Sequence, residues 1–327
     1  MLKVTVRICL IVMVALLCVR EVSAEAVVEK EYTIQVQTAL QSEEIHILER
    51  GVGEPRIMIF HGSGAYNHFY NWDPLLSEGK IILVGLPGHG PVKHYSRSHY
   101  YRWTIQHFID VAVKIIKMYN NGHPMILIGH STGGAVALGV SVQKPELVDR
   151  LILFSPTVWG KFKGDSGILT ATTFFAPLTR FLVRMSYIPA WKSPLKFCQL
   201  LATYAGNEKD FCQSELMVKW AQEQYNYVHK ALDLATVIDV FVGVTRVEGK
   251  IDLRPMIKKN PCSLPTLIIY GEKDPIIPIK QSKWLVKALP QAELIVIPKL
   301  GHLVFIEDEK TLYDKLLPWL KSRGAKE

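Results

Sequence analysis

The sequence predicts an α/β fold, a mostly parallel central sheet flanked by helices and interrupted by an inserted helical cap. Three observations predict it. Short, nearly all apolar runs recur at 56–60, 80–84, 125–128, 150–154 and 266–270, the pattern of strands buried on both faces. Segments of helical periodicity lie between many of them, as parallel strands require. The rhythm then stops from Thr157 to Lys259, where the pattern is helical and aromatic, and resumes after Pro265.

The elements follow in order. Glu31 to Ala39 alternates, with Tyr32, Ile34 and Val36 spaced by two, and Ile45 and Ile47 do the same. These read as two half-exposed strands paired like a hairpin at a sheet edge. Two buried strands come next, each ending in a Gly-rich loop: His61-Gly62-Ser63-Gly64 after the first, and Gly85 to Gly90 after the second. Thr104 to Tyr119 carries Ile105, Phe108, Ile109, Val113 and Ile116 at helical spacing. Within the insertion, Pro177, Pro189 and Pro194 are expected to break the helices into short pieces. Lys280–Leu289 reads as a helix, Glu293–Ile297 as the last strand and Glu307–Leu320 as the closing helix. The expected division is a leader over 1–24, core over 25–156, cap over 157–261 and core again over 262–327.

Composition bounds the function. Of 327 residues, 49% are hydrophobic and 21% charged, ample for a core. The net charge is +8, yet no basic block exceeds a pair, so nucleic-acid binding has little support. Lys3 and Arg7 precede an apolar run, Ile8 to Val19, which is short for a bilayer span, and Val22-Ser23-Ala24 offers a cleavage site. The expectation is export, with a mature chain starting at Glu25. The alternative is an uncleaved membrane anchor, which is where any membrane attachment would lie. Loss of Lys3, Arg7, Arg20 and Glu21 leaves +6. Cys198, Cys212 and Cys262 remain, either with Cys198 and Cys212 as a disulfide or as three buried thiols.

One stretch carries the chemistry. Met125 to Ile128 runs into Gly129-His130-Ser131-Thr132-Gly133, and Gly134 to Leu138 begins a helix. A strand, a tight turn and a helix would hold Ser131 in a strained conformation with its hydroxyl above the sheet edge. Backbone N–H groups at the helix start would face a developing negative charge. In open α/β sheets, active groups gather at the carboxyl ends of the strands. A carboxylate, Asp274, follows the strand ending at Tyr270, and His302 follows the last strand. Serine needs a base, imidazole serves near neutral pH, and a carboxylate fixes its tautomer. Glu272 is a rival for the acid. His61, His89 and His130 lie near the same mouth but not in the loop after the last strand. No histidine, cysteine or carboxylate cluster has metal spacing, and no phosphate loop follows the first strand, so no cofactor is expected.

With these residues assembled, the whole mature chain resembles the α/β-hydrolase superfamily, among its cap-bearing esterases, monoglyceride-type lipases and carbon–carbon bond hydrolases. The resemblance rests on His61-Gly62-Ser63-Gly64, Leu86-Pro87-Gly88-His89-Gly90, Gly129 to Gly133, Gly271-Glu272-Lys273-Asp274 and Gly301-His302. It implies the α/β-hydrolase fold, with Ser131 as nucleophile, Asp274 as acid, His302 as base, and the backbone N–H groups of Ser63 and Thr132 as the oxyanion hole. Gly85 stands where the family usually has Asp, and Pro91-Val92 where a Ser is common. The expected activity is hydrolysis of a small-molecule carboxylic ester with an apolar acyl or aromatic part. Carbon–carbon bond hydrolysis, acyl transfer and ligand binding without turnover are the alternatives. Oligomeric state is not legible.

Overall fold

A computed structural model of the chain describes residues 28–64, 70–164, 175–231 and 233–323. The leader therefore lies outside the described residues. Eight strands form one sheet: β1 (Glu29–Gln37), β2 (Ser42–Arg50), β3 (Pro55–Phe60), β4 (Lys80–Val84), β5 (Met125–His130), β6 (Val148–Phe154), β7 (Thr266–Gly271) and β8 (Ala292–Ile297). Their order is β1-β2-β4-β3-β5-β6-β7-β8. The β1–β2 and β2–β4 pairs are antiparallel, and every pair from β4 to β8 is parallel.

Alternation along the strands feeds two cores, one on each face. Met58 and Phe60, Met125 and Leu127, and Leu151 and Leu153 face one side. Ile57 and Ile59, Ile126 and Ile128, and Ile152 and Phe154 face the other. This is why the central runs look continuously apolar. The β2 strand is more buried than the half-exposed edge strand expected, because only β1 lies at that edge. His46 is packed beneath the Gly85–Gly90 loop, where a side chain at Gly90 would meet it at 2.6 Å.

Glu43 is a fully buried carboxylate on β2. It accepts hydrogen bonds from Gln41 Nε2 (2.7 Å), His107 Nε2 (2.8 Å), Trp103 Nε1 (2.8 Å) and His99 Nε2 (3.1 Å). These donors join β2 to α1 (Arg97–Tyr100) and α2 (Ile105–Tyr119). Burial pushes the carboxyl up, but the four donors outweigh it and hold it below the usual range. Its contribution to stability is therefore complete above the unfolded carboxyl's pKa and lost as pH falls through the folded value. Glu43→Ala strands those donors in a dry site, and denaturant unfolding is expected to show a loss of about 3 kcal/mol.

Helix α2 begins at Thr104, whose hydroxyl accepts the His107 N–H at 3.1 Å. Helix α3 (Ser131–Gln143) follows β5 directly and is buried from Ser131 through Val142. Gly139 lets it lie against α2, since a Cβ there would sit 2.2 Å from Ile109 Cδ1.

Between β6 and β7 lie α4 (Ala176–Trp191), α5 (Pro194–Ala202), α6 (Glu208–Phe211), α7 (Glu215–Ala231), α8 (Leu234–Lys250) and α9 (Arg254–Lys259). Pro177 and Pro194 occupy first turns, where a missing N–H costs nothing. Pro189, expected to break a helix, lies in the last turn of α4, which runs on to Trp191. Cys198 and Cys212 form a disulfide with Cα atoms 6.1 Å apart, and Cys262 is a buried thiol. The two ends of this insertion are stitched together: Leu253 N–H donates to Val158 (2.9 Å), and Gly160 N–H to Ile251 (2.8 Å). Buried Gln281, on α10 (Lys280–Ala288), accepts the Val158 and Trp159 N–H groups and donates to the Trp159 and Lys161 carbonyls. The expected closing helix is two, α11 (Val304–Glu307) and α12 (Glu309–Arg323). Asp308 separates them and caps the second by accepting Thr311 N–H at 3.0 Å. No described helix is long and apolar enough to cross a membrane.

Candidate active site

The parallel register brings the ends of β3, β5, β6, β7 and β8 to one rim, with Phe60 beside Gly129, His130 beside Phe154 and Gly271 beside Ile297. Ser131 sits where β5 becomes α3, with φ +53°, a backbone conformation that side chains rarely adopt. Its neighbours explain how the turn is held. A Cβ at Gly133 would lie 2.3 Å from the Phe60 and His61 carbonyl oxygens, and one at Gly129 would lie 2.5 Å from the Gly133 oxygen. Both positions need glycine so that the helix start can press against β3 and β5. At Gly62, a Cβ would strike the His130 ring at 2.7 Å and approach Ser131 Cβ at 3.1 Å.

Asp274 and His302 meet. His302 Nδ1 donates to Asp274 Oδ2 at 2.8 Å, and both side chains are buried. Asp274 Oδ1 accepts the N–H groups of Ile276 (2.8 Å) and Ile277 (2.9 Å), so the turn after β7 aims the carboxylate. Burial pushes the Asp274 carboxyl up. The His302 charge, the His302 hydrogen bond and the two N–H donors together hold it below its usual range. The rival Glu272 is exposed and faces away, accepting the Lys299 N–H at 3.3 Å.

The His302 loop is fixed from three sides. His302 N–H donates to the Tyr204 carbonyl (2.8 Å), and His130 Nε2 donates to the His302 carbonyl (3.0 Å). Glu307 accepts the N–H groups of Gly206 (2.7 Å), Gly301 (3.0 Å) and Leu303 (3.1 Å). The His130 and His302 ring centroids are 4.6 Å apart, which places His302 over the segment that carries Ser131.

The other histidines of the mouth hold backbone. His61 Nε2 accepts the Leu86 N–H at 2.8 Å. His89 Nε2 accepts the Gly64 N–H at 3.2 Å, and its Nδ1 donates to Pro87. Burial pushes His89 down to about 4 and His130 well below the ordinary imidazole range, so both are neutral struts near neutral pH.

Ser63 and Thr132 are also brought together, with their hydroxyl oxygens 2.9 Å apart. Sequence reasoning missed what joins them. Glu248, near the end of α8, accepts from the Thr132 hydroxyl at 2.5 Å and from the Ser63 hydroxyl. Burial pushes its carboxyl up, against those two bonds and the His302 charge. Both hydroxyls thus donate to one carboxyl oxygen, which ties the Ser63 and Thr132 side chains to α8. Among the described residues, no cluster of histidine, cysteine or carboxylate side chains could hold a metal ion.

A family model for the alpha/beta hydrolase fold matches residues 55–309. The chain belongs to the alpha/beta hydrolase family. A 2-hydroxy-6-oxo-6-(2'-aminophenyl)hexa-2,4-dienoic acid hydrolase of Metapseudomonas resinovorans is 24% identical over 309 residues, covering 92% of this chain and 96% of the relative. Among solved structures, the 2-hydroxy-6-oxo-6-phenylhexa-2,4-dienoate hydrolase of a Rhodococcus strain aligns with TM-score 0.66 at 21% identity, covering 90% of this chain and all of that one. A thermophilic esterase from Thermogutta terrifontis aligns with TM-score 0.65 at 18% identity, with the same coverage. At such identities the structural likeness speaks for the fold. The alpha/beta hydrolase reading makes the chain a hydrolase by family, and its substrate has to come from the site.

Proposed function

We propose that this alpha/beta hydrolase is an exported serine hydrolase that cleaves a carboxylic ester. The observation that carries the reading is the buried Asp274–His302 hydrogen bond at the rim that holds Ser131 at positive φ. With Nδ1–H donated to Asp274, Nε2 of His302 is the basic nitrogen left for the serine. Ser131 Oγ attacks the ester carbonyl carbon while His302 takes the hydroxyl proton. The carbonyl oxygen becomes an oxyanion facing the N–H groups of Ser63 and Thr132. The tetrahedral intermediate collapses to an acyl-Ser131, and His302 returns the proton to the departing alkoxide. Water, deprotonated by His302, then releases the carboxylic acid and restores Ser131. The helical insertion serves as the cap, with Tyr187 and Phe241 lying against Gly64 at the oxyanion loop and giving the entrance an apolar wall. That wall favours an apolar acyl or aromatic ester.

Glu248 is a positioning residue in this scheme, because it holds the side chains of both residues whose N–H groups face the oxyanion. Glu248→Ala is expected to lower kcat about tenfold with KM little changed, the size of one or two lost hydrogen bonds. Glu248→Gln, which keeps an acceptor oxygen on a side chain of the same shape, is expected to restore most of the rate. The folded pKa of Glu248 is raised, so stability is expected to fall as pH rises from the unfolded to the folded value. Glu248→Gln should lose that dependence in pH-resolved thermal unfolding.

The names of the relatives favour a second reading, a carbon–carbon bond hydrolase using the same three side chains. A panel of carboxylic esters beside a vinylogous diketone separates the two. Ester turnover that disappears in Ser131→Ala supports the first reading, and cleavage of the diketone alone supports the second. Export is supported by the leader's composition and by the Cys198–Cys212 disulfide, which persists in oxidising compartments. N-terminal sequencing of the exported protein is expected to begin at Glu25.

A further inference from the structure

Helix α4 is apolar on two opposite sides. Thr179, Val183 and Ala190 are buried against the rest of the insertion, and Val183 packs with Ile238 and Val242 of α8. On the far side Leu178 (39% exposed), Phe181 (59%) and Met185 (58%) face outward, and Phe175 (54%) is exposed at the N-terminal cap of the helix. At 100° per residue Leu178, Phe181 and Met185 fall within roughly a sixth of the helix circumference. Leu195 at the start of α5 adds a further exposed apolar side chain, also at 58%. Large apolar side chains gathered on one outer face of a helix mark a contact surface.

Charge selects what covers it. From residue 166 to residue 207 the chain has no aspartate or glutamate, while Arg180, Arg184, Lys192 and Lys196 all fall there. Arg180 turns inward to an ion pair with Asp239 of α8. Arg184, Lys192 and Lys196 are exposed around the apolar face. A second copy seated symmetrically on this face would bring three cations against their own equivalents. An anionic lipid surface meets both features, with acyl chains for the apolar side chains and headgroups for the basic rim.

We propose that the outer face of α4, with the start of α5, docks on an anionic bilayer. This attachment is separate from the leader and does not depend on the ester reading. It also bears on substrate supply, because the inner side of the same helix reaches the site. Tyr187 Oη lies 3.4 Å from where a Cβ at Gly64 would be, and its ring is 5.1 Å from that of Phe241. An amphiphile leaving the bilayer at α4 would enter beside the loop that carries Ser63.

The test is co-sedimentation of the full chain with vesicles of phosphatidylcholine alone or mixed with phosphatidylglycerol, using Ser131→Ala protein so that no lipid is consumed. Binding to the anionic vesicles is expected to be about a hundredfold tighter than to neutral ones and to weaken with salt. The Phe181→Glu/Met185→Glu variant carries the same leader, so any difference isolates the face. It is expected to lose at least tenfold in binding, while its thermal unfolding stays that of the parent because both positions are exposed. A triple Arg184→Gln/Lys192→Gln/Lys196→Gln variant should lose the preference for phosphatidylglycerol. Equal binding by parent and Phe181→Glu/Met185→Glu proteins would overturn the proposal. So would a dimer in sedimentation velocity that this variant dissociates, since a second copy would then be the occupant.

Discussion

Ser131→Ala is expected to reduce kcat for ester hydrolysis by about 10⁴-fold or more, leaving only what binding and the oxyanion donors supply. The loss should fall on kcat, because the hydroxyl is consumed in bond formation and contributes little to ground-state binding. Fold is not the issue. Ser131 is held by its backbone, between glycines that let α3 press on β3, and alanine keeps that backbone apart from the cost of its positive φ, which serine already bears. Steady-state kinetics with matched thermal unfolding checks both halves. A variant that kept a tenth of the parental rate would remove Ser131 from the chemistry.

Asp274→Asn is expected to cost about 10³- to 10⁴-fold in kcat. Asp274 Oδ2 now accepts from His302 Nδ1, which keeps the other ring nitrogen free of hydrogen. An amide at position 274 can present its NH₂ group instead and turn the imidazole to the wrong tautomer. The N–H groups of Ile276 and Ile277, which bond the other carboxylate oxygen, still find an acceptor in the amide oxygen only if the NH₂ faces His302. The geometry thus enforces the unproductive arrangement. The same carboxyl sets a pH limit. Its folded pKa is depressed, so the stability it gives is complete above the unfolded carboxyl's pKa and lost as pH falls through the folded value. Acid unfolding of the parent should therefore be steeper than that of Asp274→Asn.

Much of this site is legible in the sequence, because the sheet imposes an address on it. Parallel strands deliver their following loops to one rim, so Ser131, Asp274 and His302 can be matched from strand ends alone, although 171 positions separate the serine from the histidine. What escapes reading is set by contacts between segments that share no pattern. Glu248 lies 116 positions from Thr132. Its one local signal is an acidic residue four places after Val244 and eight after Val240, on a stripe that otherwise turns to the core. Gln281 and Glu307 escape similarly, since a polar residue in a helix ordinarily faces water and only the assembled fold supplies the loose backbone groups they bind. Glu43 belongs with them: alternation places it on a strand, but three of its four donors, His99, Trp103 and His107, come from another segment. Pro189 was misleading for the opposite reason, because in a last turn the broken hydrogen bond is one of few and the helix continues.

The central claim is that the Asp274–His302 pair activates Ser131, and a fluorophosphonate probe tests it most directly. Such a probe reacts with a serine whose proton a neighbouring base can take. The parent protein is expected to be labelled once, with the adduct on the peptide that contains Ser131, slowly in Asp274→Asn and not at all in Ser131→Ala. A folded parent that takes no label, or a Ser131→Ala protein labelled as fast as the parent, would contradict the account.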